Sequence, residues 1–116
     1  MIRDPEMLDQ LLSTIRNFVK NELVPLEHEV EENNAIPEHI VEQMKELGLF
    51  GLTIPEEYGG LGITMEEEIL VAMELGQTSA AFRSLIGTNN GIGSSGIIID
   101  GTEEQKQKYL PRYATG

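Results

Sequence analysis

Leu47-Gly48-Leu49-Phe50-Gly51-Leu52-Thr53-Ile54-Pro55-Glu56-Glu57-Tyr58-Gly59-Gly60-Leu61-Gly62 has helix-forming sequence on both sides and none within it. Its glycines and Pro55 exclude a long helix. Gly48 can take the left-handed conformation that closes a helix, Pro55 holds its own φ and pushes Ile54 toward an extended shape, and Gly59-Gly60 permits a turn that side chains resist. Leu49, Phe50, Leu52, Ile54 and Tyr58 also make the stretch apolar. The expectation is a connecting joint that lies on a core.

Before the joint, Asp4-Pro5-Glu6 supplies a cap and a first-turn proline. Leu8, Leu11, Leu12, Ile15, Phe18, Val19 and Leu23 then recur at three- and four-residue steps and predict an amphipathic helix. Pro25 is expected to break or kink it, leaving a short acidic helix from Leu26 to Glu32 that stops at Asn33-Asn34. Pro37 fits a first helical position, and Ile40, Val41, Met44 and Leu47 give the apolar side of a helix ending at Gly48.

After the joint, Thr64-Met65-Glu66-Glu67 matches a capping box, and Ile69, Ala72, Met73 and Gly76 are read as the buried side of the helix it opens. Ser79 caps a helix from Ala80 to about Ile99 that carries Ser84, Gly87, Thr88, Gly91, Ser94 and Ser95. Glycine inside a helix costs about 1 kcal/mol relative to alanine, so this row implies either close helix packing or an approaching subunit or ligand. Thr102 to Gln105 is a second capping box, opening a short helix that Pro111 is expected to stop after Leu110. The pattern predicts an all-α, up-and-down bundle of about six helices in one domain, residues 1–116.

Composition narrows the function classes. The absence of cysteine excludes disulfides, thiolate metal sites and cysteine nucleophiles. His28 and His39 lie in acidic helical segments, and neither is assigned a catalytic or metal role. A net charge of −12 argues against nucleic acid and anionic membrane surfaces as partners. No window approaches the roughly 20 apolar residues of a membrane span, and the first residues lack a signal-peptide core, so a cytoplasmic, soluble intracellular protein is expected.

Gly91-Ile92-Gly93-Ser94-Ser95-Gly96 matches the dinucleotide fingerprint GxGxxG, but that fingerprint works between a strand and a long helix. Here Asp100-Gly101 follows too soon, and we read the match as accidental. No phosphate-binding loop, nucleophile elbow or metalloprotease motif is present.

The helix into Glu46-Leu47-Gly48-Leu49-Phe50-Gly51-Leu52, the segment Ile54-Pro55-Glu56-Glu57-Tyr58-Gly59-Gly60-Leu61-Gly62, and Gly101-Thr102-Glu103-Glu104-Gln105-Lys106-Gln107-Lys108-Tyr109-Leu110-Pro111 together resemble the N-terminal helical domain of acyl-CoA dehydrogenases. The resemblance covers essentially the whole chain. It implies an FAD-dependent flavoenzyme of fatty acid metabolism that oxidises acyl-CoA to trans-2-enoyl-CoA. In that family a carboxylate removes the α-proton, the flavin N5 accepts the β-hydride, and an electron-transferring flavoprotein takes the electrons.

The resemblance further implies a homotetrameric parent in which a β-domain and a C-terminal helical domain follow this one. The catalytic base and the flavin motif are therefore expected beyond Gly116, the fragment alone is expected to be inactive, and its uncovered faces are expected to favour self-association. Carried over by position, Thr88, Asn89 and Ile92 line the acyl-chain cavity, with Leu85 and Ser84 as neighbours; some members place a glutamate where Thr88 stands. A different reading is a stand-alone all-α interaction module whose small-residue helix binds a partner.

Overall fold

A computed structural model describes Ile2 and residues 4–116, and the described residues contain helices and no strand. α1 spans Pro5–Phe18, α2 Glu27–Asn33, α3 Glu38–Glu46, α4 Met65–Leu75, α5 Ala80–Thr88, α6 Ser94–Asp100 and α7 Glu103–Thr115. Two pairs are continuous. α1 runs into α2 through a π-turn at Val19–Leu23 and a 3-10 turn at Val24–Leu26, and α5 runs into α6 through a π-turn at Asn89–Gly93. The described residues thus form five helical rods, one fewer than the spacing around Pro25 suggests.

Pro25 does not break its rod, because the turns around it absorb the proline. Val24 N–H reaches back to the Val19 carbonyl and Glu27 N–H to that of Val24, so wider and tighter turns replace the regular ladder that proline cannot complete. The local end signals hold where they are short-range. Asp4 accepts from Glu6 N–H, Ser79 from Ala81 N–H, and both capping boxes, Thr64 with Glu67 and Thr102 with Gln105, are closed in both directions. Asn34 and Gly48 end α2 and lead out of α3 in the left-handed conformation.

The joint lies on the core as expected, with Leu49, Phe50, Leu52, Ile54 and Tyr58 all buried. It also connects two apolar clusters. Leu49, Phe50 and Leu52 belong to the larger one, with Ile15, Phe18, Leu23, Ile40, Met44, Val71, Leu75, Phe82 and Ile86. Ile54 and Tyr58 belong to the smaller one, with Leu110 and Ala114 of α7.

The joint's backbone folds back on itself through Leu61 N–H to Gly51 O, Gly62 N–H to Ile54 O and Ile63 N–H to Leu52 O, each 2.9 Å. A Cβ on Gly60 would collide with the Ile54 carbonyl, and one on Gly51 would press on the Ala114 backbone at 3.0 Å. Those two glycines let chain segments approach where side chains would hold them apart.

Two further expectations are corrected. Pro111 does not stop α7, which continues to Thr115. Pro111 lacks the N–H for one ladder bond, but Leu110 and Ala114 are buried on either side of it against Ile54 and Tyr58, and that packing carries the helix through. The buried side of α4 is also not the one expected. Glu67, Val71 and Leu75 face the core, whereas Ile69 and Met73 are exposed, Gly76 is exposed and Ala72 is only half-buried. α4 carries apolar residues on both faces; where it packs on α1, Val71 and Leu75 enter the larger core cluster, and the Arg16–Glu74 ion pair lies at the exposed edge of that contact.

Glu67 is a buried carboxylate with donors from Thr64 N–H at 2.8 Å and Ile2 N–H at 3.0 Å. The Thr64 backbone hydrogen bond, opposed by burial and helped by the Ile2 N–H, holds its carboxyl below the usual value of 4.5. A depressed folded pKa contributes stability above the unfolded value and loses it as pH falls through the folded one. Glu67→Gln should therefore be less stable than the parent at neutral pH, with the deficit shrinking as urea titrations move below pH 4.5. Gly60→Ala should cost several kcal/mol, roughly 3 or more, through backbone displacement, whereas Gly96→Ala, where an added Cβ meets nothing within 4 Å, should gain about 0.5–1 kcal/mol; paired thermal melts check both.

Candidate functional site

α5 and α6 form one rod whose inner side is Phe82, Ile86, Asn90 and Ser94, all buried at steady four-residue steps. In a regular α-helix such a row would rotate by about 40° per step and leave the core. The π-turn at Asn89–Gly93 compensates. Ser94 is thereby turned fully inward, so the row of small residues read from the sequence is split between the core and the surface.

The outer side carries Ser84, Thr88 and Ile92, all exposed, with Ile92 at 89%. Beside them Gly91 presents bare backbone, with nothing within 4 Å of where a Cβ would lie. Gly87 lies under the guanidinium of Arg83, which folds along the helix in the space a side chain would fill. The result is a surface of small groups from which Ile92 projects, with the Arg83 guanidinium lying along it over Gly87.

The five residues named from the sequence therefore separate into two sets. Ser84, Thr88 and Ile92 share this outer face. Leu85 is half-buried against the larger core cluster and lines a different groove, with Val30, Ile36 and Val41. Asn89 points into the structure, where its amide donates to the carbonyls of Phe50 at 2.6 Å and Tyr113 at 2.9 Å.

The neighbouring Asn90, which sequence reasoning did not single out, is 3% exposed and more heavily bonded. Its amide donates to the Leu49 carbonyl at 2.7 Å and the Ile86 carbonyl at 3.1 Å, and its Oδ1 accepts from Thr53 N–H at 3.2 Å. Its own carbonyl receives the Thr53 hydroxyl at 2.6 Å, while Ser94 N–H turns to the Gly91 carbonyl. Two adjacent asparagines deep inside an apolar helix were the available signal, since asparagine is a poor residue for a helix interior.

Next to the outer face, Asn89, Tyr109, Arg112 and Tyr113 line an open cleft of about 300 Å³. The Tyr113 ring covers Gly93, where an added Cβ would lie 3.2 Å from it. On the far side of α7, the Tyr58 hydroxyl donates to both oxygens of Glu103, at 2.9 and 3.0 Å. Burial, reinforced by that carboxylate, pushes the Tyr58 phenol up to about 12.

Gly91 to Gly96 lies within a single helical rod, so the GxGxxG spelling is not a strand–turn–helix cradle for a pyrophosphate. Among the described residues no cluster of three or more His, Asp or Glu side chains is placed to hold a metal. His28 sits at the surface beside Glu32, 3.1 Å away.

Residues 5–116 match the family described as acyl-CoA dehydrogenase, N-terminal domain. The chain belongs to that family. It is 33% identical over 102 residues to an acyl-CoA dehydrogenase of Bacillus subtilis, covering 88% of this chain and 27% of that protein. It is 37% identical over 112 residues to (2S)-methylsuccinyl-CoA dehydrogenase of Cereibacter sphaeroides, covering 96% and 20% respectively.

Among solved structures, an acyl-CoA dehydrogenase from Geobacillus kaustophilus matches with a TM-score of 0.82 at 30% identity, over 97% of this chain and 30% of that one. A chain in a structure of the electron transferring flavoprotein of Acidaminococcus fermentans matches with a TM-score of 0.84 at 30% identity, over 100% and 31%. The acyl-CoA dehydrogenase-like domain thus spans roughly a quarter of the curated relatives it matches.

Asn90→Ala should cost about 2–4 kcal/mol, because it strands the Thr53 N–H and the Leu49 carbonyl away from water. Denaturant unfolding measures the loss, and amide exchange should report it first at Leu49 to Thr53. Tyr58 supplies a pH prediction of the opposite sense to Glu67. Its raised phenol contributes stability that is fully present below pH 10 and is lost as the pH climbs through about 12, so Tyr58→Phe should flatten the alkaline limb of the stability profile.

Proposed function

We propose that this chain is the N-terminal helical domain of an FAD-dependent acyl-CoA dehydrogenase and that its α5–α6 outer face forms one wall of the acyl pocket. The family match over residues 5–116 carries the reading. The local geometry supports it: a wall for an alkyl chain needs apolar surface the chain can reach, and Thr88, Gly91 and the projecting Ile92 supply it, beside the Arg83 guanidinium over Gly87. Thr88 and Ile92 would meet the chain directly, Ser84 would extend the wall, and Asn89 would act by holding the rod in place. Leu85 would contribute through packing behind the wall.

The residues present do not make a flavin site of their own. The glycine-rich segment is helical throughout, and the outer face offers no cradle of backbone N–H groups. The flavin, the base that takes the α-proton and the contacts to an electron-transferring flavoprotein would come from the rest of a homotetrameric parent. This domain's part in the oxidation of acyl-CoA to trans-2-enoyl-CoA would be to position the acyl chain and exclude water from it.

The isolated chain of 116 residues should purify without flavin absorbance and show no acyl-CoA-dependent dye reduction; stoichiometric flavin with turnover would overturn the division of labour. In the full-length enzyme, Ile92→Trp and Thr88→Leu should lower kcat/KM for long acyl chains relative to short ones by about tenfold or more, the discrimination a few methylenes provide. Unchanged chain-length preference in both variants would remove the wall assignment. Full-length protein free of flavin and inert toward every acyl-CoA would favour the alternative, a helical interaction module.

A further inference from the structure

From Ala80 to Ile99 the α5–α6 rod carries a single charged residue, Arg83, in a chain that is 24% charged. Its guanidinium folds back along the helix over Gly87, with Nη1 2.6 Å from where a Cβ would stand. A side chain at that position would lift it away. Among the described residues the ion pairs are Arg16–Glu74, His28–Glu32 and Lys45–Glu42, so Arg83 belongs to none although the chain has 20 acidic side chains. Glu68 of α4 borders the same small void, about 10 Å³, without pairing with it.

A guanidinium in a surface that closes over a ligand needs an anion, because removing it from water without one is costly. Its planar fork matches a carboxylate through two parallel N–H···O bonds. The exposed Ser84 and Thr88, next in sequence to Arg83 and Gly87, add two hydroxyl donors on the same rod. The rod therefore has a cationic, hydroxyl-bearing end and an apolar end at Ile92.

We propose that Arg83, aided by Ser84 and Thr88, binds a carboxylate at the far end of the acyl chain, so that the substrates are ω-carboxyacyl-CoA thioesters. This deepens the acyl-wall reading and rests on it. The pose of the side chain is the argument for a ligand over a carboxylate from the rest of a longer parent. Lowered onto Gly87, the guanidinium lies level with Thr88, within the surface along which the acyl chain would run. From Gly87 to Ile92 the rod rises about 7.5 Å, so a short chain spans it with its thioester end toward Ile92 and its carboxylate at Arg83. The phosphates of CoA are the other anions present, and neutral acyl-CoA thioesters carry them too, which separates the two sources.

The test uses the full-length, flavin-loaded enzyme with adipoyl-CoA and hexanoyl-CoA, which are equal in chain length and differ in the terminal carboxylate. The parent should prefer adipoyl-CoA in kcat/KM by about tenfold or more, the scale of charge-assisted hydrogen bonds, and Arg83→Met should abolish that preference. Calorimetric titration with the two trans-2-enoyl-CoA products should show the same loss of discrimination without turnover. Lys20→Met, which removes an exposed positive charge from the α1–α2 rod, should retain the preference. A parent that favours hexanoyl-CoA overturns the proposal. So does a preference that survives Arg83→Met or falls as far in Lys20→Met, and so does an equal loss of both thioesters in Arg83→Met, the mark of a phosphate contact. Ile92→Trp keeps the two readings apart. If it changes the preference among neutral chains of different length while Arg83→Met changes nothing, the wall stands and only the carboxylate subsite falls; if neither variant responds, both fall.

Discussion

The hydrogen bonds from Asn89 and Asn90 to the backbone of the joint are the constraint on which the rest of this domain depends. The joint carries glycines and a proline, so it cannot satisfy its own N–H and C=O groups as a helix does, yet its apolar side chains require it to be buried. The two asparagines resolve the conflict by supplying donors and an acceptor from a neighbouring helix, to Leu49, Phe50 and Thr53. A third tie, Asn89 to the Tyr113 carbonyl, brings α7 to the same place. The π-turn is the geometric condition for this arrangement, because it keeps Asn90 facing inward while Asn89 reaches sideways.

The two apolar clusters meet across this clamp. Leu49, Phe50 and Leu52 enter the larger cluster, Ile54 and Tyr58 the smaller one, and the intervening Thr53 is bonded to Asn90 through both its N–H and its hydroxyl. The outer face of the α5–α6 rod is therefore held by its inner face. Thr88 and Ile92 project from a helix whose rotation is set by buried polar bonds, a rigid support for a surface that would line a ligand cavity.

The exposed apolar groups belong to different surfaces. On α6 and its preceding π-turn, Ile99 and Ile92 project beside small residues, whereas on α4 the row is continuous and flanked by acidic residues. Exposed apolar groups of this size are of the kind that contacts beyond a domain cover. Such contacts explain how a chain with two well-formed core clusters still presents so many large apolar side chains.

Much of the fold was legible in the sequence because it is local. Asp4, Thr64, Ser79 and Thr102 cap helices with atoms a few residues away, Gly48 and Asn34 end them through their own backbone freedom, and the apolar spacing from Ile15 to Leu23 and after Pro37 marks faces that do turn inward. Those choices are decided within one or two turns of chain. The helical class and the joint's burial follow from them. What only the tertiary structure decided was settled by partners distant in sequence: α7 passes Pro111 because Ile54 and Tyr58 bury Leu110 and Ala114, α4 turns its Val71 side inward when it docks on α1, and Asn90 is bonded to Thr53, 37 residues away. In each case burial or buried hydrogen bonding outweighed a local preference, about 1 kcal/mol for most residues and about 3 for the proline, and no spacing rule within a helix carries that information.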